Sequence, residues 1–450
     1  MREALARLGM VAAAWWRSVG RLAPAIVLAS AGMRPAQVAA DPIPFTRFTL
    51  QNGLRVVLAP LPARAQVAVR IEYEAGGTDD PPGYPETSHL VEHLLFRGTR
   101  HTGGPLWRHL AHFGATGYNA TTGALITSYF EQGDASQVDR FLWLESERLA
   151  FGLDAITPAN VALERDLVWS EHELHADRTE AAREGALLDA LFPPGHPWRT
   201  SARGVVSPGR LTVDAARWFF QRWYMPGNAR LVVVGGFDPA AVRTAVDRWF
   251  GAIPARTPPP RRVPPVAPPA APVEVQVGSS TARGALLAGW ITPALGEPGH
   301  AELDEFAVGL RLSLRSALTD PATGEELTRE VTVMHPPRPT VSYLAVVAEL
   351  LPGVSMARAR SALDLQLARA LARCDADADV TAPPARAPLA LSVRSDLLDV
   401  AAAIAGMERE GLAEPPAPAS ACAAARRWLD PRHRVLVVQT PGPGAPRGEP

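Results

Sequence analysis

The sequence has no lysine; all 45 of its basic residues are arginine. Alanine and proline are correspondingly abundant, so this is a composition bias and assigns no function. Cysteine is almost missing as well. Two residues, Cys374 and Cys422, cannot brace a chain of 450, and they stand too far from any histidine cluster for a zinc-finger site. They could pair in an oxidising compartment or remain two buried thiols. Net charge is −1, so no overall field favours nucleic acid or an anionic membrane. Beyond the N-terminal segment no run of about eighteen uninterrupted apolar residues occurs, which leaves no stable membrane span. What is present is a 47% hydrophobic, 20% charged chain. That is the balance of a globular protein, and at this length two or three domains are expected.

Residues 1–40 have the order of an export signal. Arg2, Arg7, Arg17 and Arg21 precede the apolar core "LAPAIVLASAG", and "QVAA" places small residues before Asp41. A signal peptide cleaved near Asp41 implies a periplasmic or secreted bacterial protein; the alternative is an N-terminus retained as an anchor.

The next two hundred residues alternate between strand and helix patterns. "FTLQNGLRVVLAP" reads as strand, turn, strand about Asn52-Gly53, and "AQVAVRIEYEAG" as another strand. "GYNATTGALITSYFEQ" is Thr-rich and β-like, and "ARLVVVGGFDP" is a buried strand. Helices are predicted over "QVDRFLWLESERLA", Ala159 to about Leu191, "LTVDAARWFFQRWY" and "AAVRTAVDRWFGAI", with a short one stopped by Gly114. Pro254 to Pro272 holds nine prolines in nineteen residues, a semi-rigid extended linker. Beyond it the order partly repeats: "RGALLAGWI" leads into the helix "HAELDEFAVGLRLSLRSAL", and "HRVLVVQTPGP" echoes "ARLVVVGGFDP". The expected divisions are 41–253, the linker 254–272, 273–440 and a mobile tail 441–450; "DADADVTAPPARAP" is expected to be mobile too.

The chemistry gathers in "SHLVEHLLFRGTR". On a helix, His93 lies about 40° to one side of His89 and Glu92 about 60° to the other, so the three share one stripe. Two imidazoles one turn apart can hold one Zn²⁺, which as a catalytic ion needs a third protein ligand and an open position. A carboxylate beside the ion can move protons as a general base. The order H-x-x-E-H is the inverse of the commoner H-E-x-x-H. A solvated helix face is the plainer reading, but the apolar "LLFRG" that follows argues against bulk water on this stripe. For the third ligand, "ALERDLVWSEHELHAD" offers Glu164 and Glu171, two turns apart on one face. One could bind the metal while the other orients a ligand. His172, His175, His109 and His112 compete for the same role.

These segments together resemble the pitrilysin/insulinase family of zinc peptidases, which includes mitochondrial processing peptidase and small bacterial members. The likeness spans most of residues 44 to 256, through "LQNGLRVVL", "AGGTDD", "HLVEHLLFRGT", "GATGYNATTGALITSYF", "ERDLVWSEHE" and "WYMPGNARLVVVGGFDP". It implies His89, His93 and Glu171 as zinc ligands, Glu92 as general base and Glu164 as the acid behind a ligand. It implies Asn119 and Ala120 on an edge strand that receives extended peptide, a role suited to any open strand edge. The implied fold is α+β: two related α/β domains, each an antiparallel-rich sheet with flanking helices, joined by the Pro-rich linker and closing like a clamshell. Two departures stand out. Leu125 occupies a position usually acidic, six after the Asn. Family members also carry an Arg and a Tyr seven positions apart in the half without the metal motif. Here Arg315, Arg329 and Arg338 are followed at that spacing by Ala322, Pro336 and Ala345, and Tyr343 has no such Arg.

The resulting expectation is an exported zinc metalloendopeptidase acting on peptides or unfolded segments. It is paired with a homologous subunit that supplies the Arg and Tyr; the alternative is a homodimer or monomer that is slow or uses other donors. Rival readings are a non-catalytic scaffold of the same fold and a zinc amidase acting on small molecules.

Overall fold

The computed structural model describes residues 43–441 except 176–177, 202–208, 210, 262, 280–282, 315–317, 339, 377–395 and 411–417. The expected signal peptide and most of the tail and of the "DADADVTAPPARAP" stretch therefore lie outside the described residues. Among the described residues no helix is long and apolar enough to cross a membrane.

The first half opens with β1 (Thr46–Thr49), β2 (Arg55–Pro60) and β3 (Gln66–Tyr73), then α1 (Thr87–Leu94) and α2 (Leu106–His112). The hairpin β4 (Gly117–Thr122) and β5 (Thr127–Asp134) follows. Helices α3 (Val138–Phe151), α4 (Pro158–His175), α5 (Arg178–Leu191), α6 (Pro197–Ser201) and α7 (Val213–Trp223) lead to β6 (Ala229–Gly235) and α8 (Pro239–Phe250). The second half begins with β7 (Val273–Gly278), β8 (Ala285–Thr292) and α9 (His300–Ser313). It continues with β9 (Thr328–Met334), β10 (Ser342–Leu350), α10 (Met356–Ala376), α11 (Leu397–Glu410), α12 (Pro418–Trp428) and β11 (Val435–Thr440).

Local chemistry explains the main turns. Gly53 sits at φ 93°, where a side chain would be strained. The Asn52 amide donates to the Phe250 and Ile253 carbonyls at 2.7 and 3.0 Å, tying this hairpin to the end of α8. Asp238 caps α8 by accepting from the Ala241 N–H at 2.8 Å, with Pro239 at the first helical position. The linker forms neither helix nor strand in its described residues, as its missing N–H donors require. Its Arg261 bonds Asp79 at 2.6 Å, strapping it to the loop before α1.

The sheets confirm the repeat. The first has the order β1-β2-β6-β3-β5-β4 and the second β7-β11-β8-β10-β9. In each, one parallel pair (β2/β6, β7/β11) is followed by antiparallel neighbours. The second sheet is the first without β1, and α9 follows β8 as α1 follows β3.

Packing crosses the linker. Strands β6 and β8 are buried along their whole lengths, and such strands need cover on both faces. Each half covers one face of its own sheet with its own helices. The other face of the first sheet receives Leu397, Val400, Ala401 and Ile404 of α11, against Val57, Ala59, Val232 and Val234. The second sheet receives Leu187, Leu188 and Leu191 of α5, against Leu287, Ile291, Val435 and Val437. The first sheet thus lies within 46–235 and the second within 273–440, while α5 and α11 are exchanged between them. Cys422 on α12 is disulfide-bonded; the chain's other cysteine is Cys374, whose side chain lies outside the described residues.

Candidate metal centre

Helix α1 starts from Glu86, the one non-glycine residue at positive φ (64°) among the described residues. A left-handed residue of this kind costs about 1–2 kcal/mol. The turn brings the Glu86 carboxylate to His89 Nδ1 at 3.1 Å. The Ser88 N–H donates to Asp80 Oδ1 at 2.7 Å, and burial pushes that carboxyl up to about 8. Leu90, Val91 and Leu94 enter the first core while α1 packs on α4 and α7. That fixes the opposite stripe, carrying His89, Glu92 and His93, toward α4.

There Glu171 meets both histidines. Its Oε2 lies 3.6 Å from His89 Nε2 and 3.5 Å from His93 Nε2, and one donor atom from each of the three residues falls within 4.8 Å of the others. These separations lie at the long limit of hydrogen bonding. Two ligands about 2.1 Å from one tetrahedral ion stand roughly 3.4 Å apart, so the donor set fits zinc. The outer nitrogens are occupied as metal-bound imidazoles require: His89 Nδ1 by Glu86, and His93 Nδ1 by Glu164 at 3.0 Å. Glu164 is buried and is itself gripped by Arg97. Glu171, with its side chain 38% exposed, leaves the centre open on one side.

The electrostatics call for a cation. Burial opposes charge on His89, yet hydrogen bonds to Glu171 and Glu86 outweigh it and raise the imidazole to about 10. For His93, burial is likewise outweighed, by Glu164 and Glu171, and the value rises to about 9. Burial would raise Glu171, but bonds from His89 and His93 hold it well below the usual carboxylate range. A divalent ion held by these three donors would neutralise the carboxylate cluster in place of two bound protons.

Glu92 is buried beside the motif. Near it stand Tyr129 and Tyr224, whose hydroxyls are 3.1 Å apart. Burial raises the pKa of both, and the charge of Glu92 adds to it, so both stay protonated donors. No sequence spacing marks these tyrosines, because β5 and the end of α7 meet only in the fold. Arg97 escapes pattern reading for the same reason, its partner Glu164 lying far along the chain, whereas Glu86 reaches His89 through a local left-handed turn that the side-chain pattern does not mark.

Asn119 and Ala120 lie on β4, the edge strand of the first sheet, opposite Phe130 and Tyr129. Leu125, in the β4–β5 turn, packs with the cluster where α5 meets the second sheet, which accounts for an apolar residue there. His109 bonds the Thr102 carbonyl at 2.8 Å and packs on Phe113 and Trp143, and His112 is at the surface. Neither joins the cluster. The side chains of His172 and His175 lie outside the described residues. In the second half, Arg329 bonds Glu349 at 2.5 Å. Arg338 lies 3.9 Å over the Trp198 ring and 6.0 Å from the Tyr343 ring. An Arg–Tyr pair thus exists at a spacing of five, packed inward against α6; Arg315 is outside the described residues.

Residues 55–192 match the family model described as Insulinase (Peptidase family M16), and residues 210–311 match Peptidase M16 inactive domain. The chain belongs to peptidase family M16. A zinc protease of Helicobacter pylori, PqqE, is 28% identical over 204 residues, which are 43% of this chain and 44% of that protein. The chain thus spans about half the length of this relative. The solved M16 inactive domain from Pseudomonas fluorescens superposes with a TM-score of 0.70 at 13% identity, covering 90% of this chain and 100% of that one. The periplasmic protease PqqL of Escherichia coli gives 0.64 at 18% identity, covering 89% of this chain but 48% of that one. These structures establish a shared M16 fold. Because that fold accommodates both an active-type and an inactive-type domain, the chemistry must be argued from the residues.

Proposed function

We propose that this M16 chain is a zinc-dependent endopeptidase for peptides or unfolded segments, with His89, His93 and Glu171 as metal ligands and Glu92 as general base. The observation that carries this reading is the convergence of those three donors within 4.8 Å beside Glu92. Bound zinc supplies a Lewis acid that polarises the scissile carbonyl and acidifies water. Glu92 takes the proton from the attacking water and returns it to the departing amine. Glu164 and Arg97 keep His93 in register, and Glu86 does the same for His89. The edge of β4 at Asn119 and Ala120 holds an extended substrate through backbone hydrogen bonds, which tolerate many sequences.

The active unit, in this reading, contains two M16 chains. The exchanged helices α5 and α11 are each embedded in the other sheet's core, so the two sheets of one chain cannot part without exposing apolar surface. Clamshell closure over a peptide therefore falls between chains. Arg329 is engaged by Glu349 and Arg338 is sealed on Trp198, so a homologous subunit supplies the Arg and Tyr near the scissile bond; a second copy of this chain is the alternative. Export with cleavage near Asp41 is part of the same proposal, and the disulfide at Cys422 suits an oxidising compartment. A non-catalytic scaffold is the rival favoured by the absent Arg/Tyr spacing.

Zinc analysis with a quenched peptide library, on the chain alone and with M16 homologues from the same cell, tests the proposal. The expected result is bound zinc, slow cleavage alone and faster cleavage with a partner. Zinc without cleavage in every combination would establish the scaffold, and turnover of small amides but not peptides would establish an amidase.

A further inference from the structure

The second half carries its own cluster of metal-binding side chains, on the helix that corresponds to α1. His300 is the first residue of α9 and Asp304 stands one turn on, with His300 Nε2 and Asp304 Oδ2 3.7 Å apart. His335, directly after β9, brings Nδ1 to 2.6 Å from Asp304 Oδ1. The two rings lie 4.5 Å apart at 33°, and one donor from each of the three residues falls within 4.8 Å of the others.

The rings are oriented from behind. His300 Nδ1 donates to the Pro293 carbonyl at 3.0 Å, and His335 Nε2 meets Thr292 Oγ1 at 3.1 Å. Consecutive residues at the end of β8 thus hold the outer nitrogen of both imidazoles, as metal-bound histidines are commonly held. The Asp304–His335–Thr292 chain is by itself a satisfied buried hydrogen-bond chain. To it the fold adds His300 at 3.7 Å from the same carboxylate, longer than a hydrogen bond and close to the 3.5 and 3.6 Å at Glu171.

We propose that His300, Asp304 and His335 bind a second divalent transition-metal ion of the zinc class, as a structural site pinning the first turn of α9 to the ends of β8 and β9. Two imidazoles and one carboxylate suit Zn²⁺, Co²⁺ or Ni²⁺, whereas Mg²⁺ and Ca²⁺ prefer all-oxygen sets. On binding, the ion replaces the proton between Asp304 and His335, and that pair opens from 2.6 Å to roughly 3.4 Å. Both histidine side chains are within 2% of full burial, so a peptide has no access. The residue before Asp304 is Leu303, fully buried, where Glu92 precedes His93 in the first half. The position that Glu92 fills in the first cluster is thus apolar in this one.

The test is a metal count on tag-free protein, loaded with Zn²⁺ and exchanged into metal-free buffer. Two zinc ions per wild-type chain are expected, one in His89→Ala/His93→Ala and none when Asp304→Asn and His335→Gln are added. In the His89→Ala/His93→Ala background a chelator should lower Tm by on the order of 5 °C, a shift that Asp304→Asn removes. One ion in the wild type and none in His89→Ala/His93→Ala would overturn this site while leaving the catalytic one intact. One ion in both would overturn the catalytic assignment instead. Because the first two counts leave the second site unaltered, a failure of Asp304→Asn to fold does not obscure the answer.

Discussion

Helices α1 and α9 occupy the same place in two copies of one sheet plan, yet their surroundings differ. α1 faces α4, which brings a carboxylate from far along the chain and leaves it part-exposed. α9 faces the ends of β8 and β9, which close over its histidine and aspartate. The first arrangement has Glu92 before His93, and the second has Leu303 before Asp304. A repeated topology thus carries a part-exposed His/Glu cluster in one copy and a sealed His/Asp cluster in the other, because solvent access and one side chain set what each turn presents.

The largest test of that contrast makes α1 chemically like α9. Glu92→Gln keeps the shape but cannot accept a proton, so peptide cleavage should fall about 10²–10⁴-fold with the Glu171-side zinc retained. Steady-state kinetics beside metal analysis measure both, and an unchanged rate would remove Glu92 as the base.

Next come the exchanged helices. Ile404→Ala in α11 and Leu187→Ala in α5 each empty a fully buried site and should cost about 2–5 kcal/mol in denaturant unfolding. If the exchange holds, Ile404→Ala should speed amide exchange in β2 and β6 of the first sheet rather than in β8. Faster exchange confined to the second sheet would contradict the packing.

A smaller effect is expected behind the proposed metal ligands. Glu164→Gln weakens the hold on His93 and should lower zinc affinity about 10–100-fold by chelator competition. Unchanged affinity would reduce Glu164 and Arg97 to a surface-independent ion pair.

The smallest effect concerns the junction between halves, where His196 stacks on Phe192 with ring centroids 4.5 Å apart. Burial lowers its pKa to about 4. The unfolded chain therefore takes up a proton near pH 6.5 that the folded chain refuses until about 4. Relative to His196→Phe, wild-type stability should fall as pH drops from 6.5 to 4, by on the order of 2 kcal/mol, and no further below that. Equal slopes for both proteins in that window would show that His196 ionises freely in the fold.

Much of this was legible from local pattern. The β2, β3, β6 and β8 runs, the turn at Gly53 and the Pro-rich linker follow from side-chain periodicity and missing donors. Nothing in the sequence reading marks β7, β9 or β10, although Val273, Val275 and Val277 of β7 alternate with polar residues and β10 is a nine-residue run buried at all but Glu349. Glu171 could be ranked among candidates by its spacing from Glu164, but His172 and His175 stand as near in sequence. Likewise "GHAELDEF" shows one His followed by three acids, Glu302, Asp304 and Glu305, and nothing local singles out Asp304 or brings His335 to it.

By itself the sequence determined which residues share a helix face, because 3.6 residues per turn places His89, Glu92 and His93 on one stripe whatever surrounds them. It also determined where the chain could not continue a helix or strand, because proline cannot donate. Only the tertiary structure decided which distant side chains complete each cluster, which helix covers which sheet, and which cluster meets solvent. Those outcomes depend on covering both faces of fully buried strands, a demand met by elements a hundred or more residues away and therefore invisible to any local period.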